Sequence, residues 1–152
     1  MYKQTKYAGH LGHSVKRLYQ LMGAYFNAIL RPYGVASSQW YVLYAMSQSP
    51  QLTQKELQAA MQVESATLTG VINALVRNGW VERKQSAGDR RVKELRFTPA
   101  GRELWEKLPD PIITIHTQML EGISAEEEIV ARKILDKAIK NLEIKPDRGR
   151  AT

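Results

Sequence analysis

The chain has 152 residues, 43% hydrophobic and 24% charged, the size and composition of one ordinary globular domain and not of a disordered tail or a fibrous repeat. Cysteine is absent, which excludes disulfides, thiolate metal sites and thiol redox sensing; no apolar run approaches the roughly 20 residues of a membrane span, no signal-peptide core follows Met1, and a cytoplasmic location is the expectation. The net charge of +7 is uneven, with five Lys/Arg and no Asp/Glu in residues 1–50, eight against five in 51–98, and nine against ten in 99–152. The positive field falls on the first two thirds, as it does in a protein that meets a polyanion.

Leu11, Val15, Leu18, Met22, Tyr25, Phe26 and Ile29 recur at steps of three or four, predicting a long first helix that Pro32 and Gly34 end. A shorter second helix, capped by Ser37 or Ser38, carries Trp40, Leu43, Tyr44 and Ala45 and stops near Ser49 and Pro50. Thr53 and Glu56 form a capping box that opens a third helix with Leu57, Ala60 and Met61. Leu68, Val71, Ile72 and Leu75 fall at i, i+3, i+4 and i+7, so a fourth helix is expected from about Ser65 to Asn78, closed by Gly79 in a left-handed conformation. The pattern then shortens to strands over Val81–Arg83 and Lys93–Phe97, with Ala87, Gly88 and Asp89 between them, which predicts a hairpin with a charged tip. Thr98 caps a further helix that begins with Pro99, and Pro109 and Pro111 break it before it continues to about Glu121. Ser124 and Glu127 repeat the capping box ahead of a last helix with Ile129, Ile134, Leu135, Ala138, Ile139 and Leu142 on one face. The tail from residue 146 onward is expected to be loose.

Two short helices joined by a tight turn and followed by a charged hairpin are the parts of a winged helix-turn-helix, so the fold class is mainly α with a small β wing. Once Leu68, Val71, Ile72 and Leu75 are buried, the fourth helix presents Ala66, Gly70, Asn73 and Arg77, with Ser65, Thr67 and Thr69 beside them. Small side chains permit close approach to base edges, hydroxyls such as that of Thr69 can bond a base, and the helix N-terminus favours a phosphate. The same stripe is also what an ordinary amphipathic helix exposes. At the hairpin tip, Arg90, Arg91 and Lys93 place three cations within four residues, suited to the negative potential of a minor groove or simply to a solvated turn.

In order along the chain stand Thr53-Gln-Lys-Glu-Leu, Ser65-Ala-Thr-Leu-Thr-Gly-Val-Ile-Asn-Ala-Leu, Asn78-Gly-Trp-Val-Glu-Arg, Asp89-Arg-Arg and Phe97-Thr-Pro-Ala-Gly. Together these motifs resemble the MarR family of multiple antibiotic resistance regulators over nearly the whole chain, and its SlyA-like members most closely. The resemblance implies a single MarR-type domain over 1–152, with dimerisation helices in 1–35 and 110–145 flanking a winged helix-turn-helix in 36–100. It implies a homodimer reading a palindromic operator in duplex DNA, and repression relieved by a small aromatic or phenolic ligand. Ser65, Ala66, Thr69 and Gly70 match base-facing positions, Arg77 and Arg83 match backbone contacts, and Asp89 and Arg91 match a wing pair in which the arginine enters the minor groove. Gly70 stands where an arginine is common, Trp80 where an aliphatic residue is common, and Pro109 and Pro111 interrupt a helix that is otherwise unbroken.

His13, Arg17, Trp40 and Tyr44 are the candidates for the ligand site, with core packing as the alternative for the rings. His10 and His13 have metal-compatible spacing but no carboxylate partner nearby, so no metal and no cofactor are expected. No nucleophile elbow or Gly-rich phosphate loop is present, and an enzyme is not expected. The other class of function is an interaction module in which the winged helix binds protein or RNA.

Overall fold

The computed structural model describes residues 9–49, 52–86, 88 and 92–143. In chain order it contains α1 (Leu11–Leu30), a short 3-10 turn (Arg31–Tyr33), α2 (Ser37–Gln48), β1 (Leu52–Thr53), α3 (Gln54–Met61), α4 (Ser65–Arg77), β2 (Val81–Gln85), β3 (Lys93–Phe97), α5 (Pro99–Lys107), α6 (Pro111–Met119) and α7 (Ala125–Glu143). Contacts divide the chain into two compact units, Met1–Ile112 and Ile113–Thr152.

Each boundary in the first unit has a local cause. Gly34 at φ 67° ends the turn after α1, a conformation that a side chain would strain. The start of α2 differs from expectation: the cap is Ala36, with neither serine capping, and the Gln39 carboxamide accepts its backbone N–H at 2.9 Å. The expected capping box of α3 is present, since the Thr53 hydroxyl accepts from the Glu56 amide at 3.2 Å and the Glu56 carboxylate accepts from the Thr53 amide at 2.8 Å. α4 stops at Arg77, and Gly79 follows in the left-handed region at φ 72°. Thr98 caps α5 by accepting from the Gly101 amide at 3.0 Å, and Pro99 occupies the first turn. α5 ends before Pro109, and a new helix begins at Pro111.

The sheet carries one strand that the periodicity did not predict. β1 pairs antiparallel with β3, Leu52 opposite Leu95 and Thr53 opposite Glu94, while β2 lies on the other side of β3 with Val81 opposite Phe97. Two residues are too few to show alternation, and only the pairing reveals them as a strand. The core lies where α2, α3 and α4 meet this sheet: Val42, Leu43, Met46, Leu57, Leu68, Ile72, Leu75, Val81 and Leu95 are buried in one cluster. Trp80 packs against it from the base of the hairpin. Ala60, expected on the apolar face of α3, is exposed.

Of the apolar face predicted for α1, Phe26 is buried, whereas Leu11, Val15, Leu18, Met22 and Tyr25 are exposed. In the second unit, Gly122 at φ 78° turns the chain, and Ser124 and Glu127 exchange the predicted capping bonds ahead of α7. The apolar face of α7 is also exposed at Ile129, Val130, Ile134, Ile139 and Leu142. Among the described residues no helix is long and apolar enough to cross a membrane.

Candidate nucleic-acid interface

α4 is held by its buried face and leaves the other face open. Leu68, Ile72 and Leu75 enter the core and Val71 is half-buried, while Ser65, Ala66, Thr67, Gly70, Asn73 and Arg77 are all exposed. A Cβ built on Gly70 would meet nothing within 4 Å, so the missing side chain leaves a smooth patch on the outward face. Exposed amides, hydroxyls and one cation on a helix of 13 residues can reach base edges and phosphates together.

Two side-chain bonds tie this face to its neighbours. The Gln54 carboxamide donates to the Thr69 hydroxyl oxygen at 2.8 Å, joining the first turn of α3 to the middle of α4. Thr69 is half-buried, and its hydroxyl accepts from Gln54 while its own O–H is left to donate. The Arg83 guanidinium on β2 donates to Asn73 Oδ1 at 2.8 Å, so the helix and the wing strand share a contact. Arg83 itself remains exposed.

The loop end of the hairpin is anchored on a carboxylate. Glu94 is 7% exposed, and Arg96 donates to its Oε2 at 2.8 Å. The Ser86 hydroxyl, first, and the Arg96 guanidinium, second, hold the Glu94 carboxyl below the usual carboxylate range by hydrogen-bonding its charged form. Ser86 also closes the loop, donating its amide to the Val92 carbonyl at 2.9 Å. The predicted wing residues Asp89, Arg90 and Arg91 lie outside the described residues.

The candidate ligand residues separate into two kinds. His13 and Arg17 are exposed on α1. Trp40 is buried at 1% exposure, stacked on Tyr44 with ring centroids 5.1 Å apart, edge-on to Phe26 at 5.3 Å and tilted against Trp105 at 5.9 Å. Core packing accounts for Trp40 but not for Tyr44, which is exposed, and the Trp40 Nε1–H is buried with no hydrogen-bond partner. Among the described residues no group of three or more His, Asp or Glu could hold a metal ion.

The MarR family pattern matches residues 35–93, the stretch that contains α2, α3, α4 and β2 and ends at the first residue of β3. An uncharacterised HTH-type transcriptional regulator from Bacillus subtilis, YwoH, is 32% identical over 119 residues, covering 78% of this chain and 86% of its own. The chain belongs to the MarR family. Its members are DNA-binding transcription regulators, not enzymes. Solved members share the fold: the PcaV regulator of Streptomyces coelicolor has a TM-score of 0.77 at 25% identity, covering 88% of this chain and 98% of that one. A mutant MarR from E. coli complexed with operator DNA has a TM-score of 0.73 at 22% identity, covering 89% and 99%. BpsR of Bordetella bronchiseptica, whose DNA binding is regulated by 6-hydroxynicotinic acid, has a TM-score of 0.71 at 24% identity, covering 90% and 97%.

Three residues that bond around this face, Gln54, Glu94 and Ser86, are not marked as such by the sequence motifs. Gln54 sits at the first position of a helix marked by its capping box, and the periodicity of α4 carries no sign of the neighbour that bonds it. Glu94 carries a signal, an acid set between Lys93 and Arg96 on a basic hairpin. Ser86 had none, because its role depends on β2 and β3 coming into register.

Proposed function

We propose that the chain is a sequence-specific reader of duplex DNA that acts as a homodimer on a palindromic operator, and that it represses transcription until a small aromatic ligand weakens its grip. The exposed face of α4 carries the reading: a helix buried on one side, with Ser65, Ala66, Thr67, Gly70, Asn73 and Arg77 outward and Arg83 beside it. In that arrangement α4 enters the major groove, Arg77 and Arg83 meet phosphates, and Arg91, steadied by Asp89 and flanked by Arg90, reaches the minor groove. Within the family, the ordered motifs favour a place near the SlyA-like members.

The dimer is supported by the uncovered apolar residues of α1 and α7, which a second copy would cover and which solvated helices seldom retain. For the ligand, the buried Trp40 Nε1–H supports an oxygen-bearing aromatic compound entering where Tyr44 stacks, with His13 and Arg17 as candidate partners for its charge.

Selection of bound fragments from a random duplex library, followed by footprinting, tests the first part. A two-fold motif with half-sites about one helical turn apart is expected; a monomer that selects no motif, or equal affinity for RNA, would sink it. Titration of aromatic acids with and without operator tests the second, because coupling requires each ligand to weaken the other by the same factor.

A further inference from the structure

The Arg83–Asn73 bond decides more than the position of two side chains. A guanidinium carries donors and no acceptor, so the Asn73 atom 2.8 Å from Arg83 must be the carboxamide oxygen. With one lone pair of Oδ1 held by Arg83, the end of Asn73 left wholly free is its NH2 group, which only donates. A free asparagine reads adenine through both ends of its amide, Oδ1 accepting from N6 and Nδ2 donating to N7. That mode is weakened here: Oδ1 already accepts from Arg83, and an outward NH2 that donates to adenine N7 stands beside the N6 amine donor to donor. Guanine presents two adjacent acceptors, N7 and O6, in the same place.

We propose that Arg83 is a specificity-determining residue that locks the Asn73 amide as a donor, so that this position of α4 selects guanine over adenine. The inference rests on the reading of α4 as the base-contacting helix and adds to it the base that one side chain prefers. The lock need not open on binding, since a guanidinium has five N–H donors. One holds Asn73, and the remainder can meet a phosphate at the groove edge. Arg83 and Asn73 are both exposed, so their substitution leaves the core untouched.

The experiment is selection from a random duplex library with the wild type, Asn73→Ala, Arg83→Met and Arg83→Lys, each first checked for an unchanged thermal melt. Asn73→Ala is expected to relax one position per half-site, and the wild type to hold guanine there, with a discrimination of roughly 5- to 150-fold over adenine. Arg83→Met keeps the stem but has no donor, so Oδ1 is released and the preference moves toward adenine. Arg83→Lys still donates to Oδ1 and keeps guanine. A purely electrostatic Arg83 would lower affinity for all sequences alike and change no base preference, which overturns the proposal. Adenine at the Asn73-dependent position of the wild-type motif overturns it too, while leaving α4 as the reading helix. If Asn73→Ala changes no position of a motif that the wild type does select, Asn73 reads no base, and the proposal fails while DNA binding itself stands.

Discussion

Gly101 and Gly70 should respond to alanine in opposite directions. A Cβ on Gly101 would collide with the Trp80 carbonyl oxygen and stand 2.6 Å from its carbonyl carbon and 2.9 Å from its Cα. Carbon atoms in contact prefer about 3.5–4.0 Å and the carbonyl oxygen is nearer still, so one of the two backbones has to retreat by more than about 1 Å. Neither is free to do so. The Trp80 carbonyl accepts from the Thr98 amide at 3.1 Å and its amide donates to Leu75 at 3.0 Å, while the Gly101 amide donates to the Thr98 hydroxyl at 3.0 Å. Overpacking of this kind costs about 3 kcal/mol, against a gain of about 1 kcal/mol in helix propensity. The net loss of about 2 kcal/mol lowers Tm by roughly 6 °C in a chain of this length. Gly70→Ala has the propensity gain without the collision and should raise Tm by roughly 3 °C. Calorimetric melts at one protein concentration compare the two, because a dimer's Tm depends on concentration. A Gly101→Ala protein that melts at or above the wild type would refute the close approach of α5 to the hairpin base.

Arg91→Ala should weaken operator binding by about 1–3 kcal/mol and reduce the salt slope by about 1, read from anisotropy titrations at several salt concentrations; unchanged binding at every salt concentration removes the wing from the interface. The folded Glu94 carboxyl lies below its ordinary value of 4.5, so its contribution to stability is complete above that value and is lost as the pH falls through the lowered one. Melts taken down through this acid range should therefore show a shallower decline for Glu94→Gln than for the wild type, and parallel curves would show that the Ser86 and Arg96 contacts do not favour the charged form. Leu18→Glu places a charge on the uncovered face of α1 and should shift sedimentation equilibrium toward monomer; an undisturbed dimer would take that face out of the interface.

Most of the fold was legible along the chain because its signals are local. Two capping boxes, Pro99 behind Thr98, Gly79 after α4 and the paired prolines at 109 and 111 each act on backbone atoms within a few residues, and each stands where it was read. The outward stripe of α4 was legible for the same reason, since a period of 3.6 assigns one face to the core and the other to solvent. Tertiary structure decided whatever depends on partners distant in sequence. It made Leu52 and Thr53 a strand by pairing them with β3, and it set the Thr69 hydroxyl to accept from Gln54, 15 residues away. It buried Glu94 beside Arg96 and bonded Asn73 to Arg83 across 10 residues. Periodicity and local caps mark which way a side chain points and where a helix starts, but the bonds that Thr69 and Asn73 accept come from Gln54 and Arg83 on other elements and form only when the chain closes on itself.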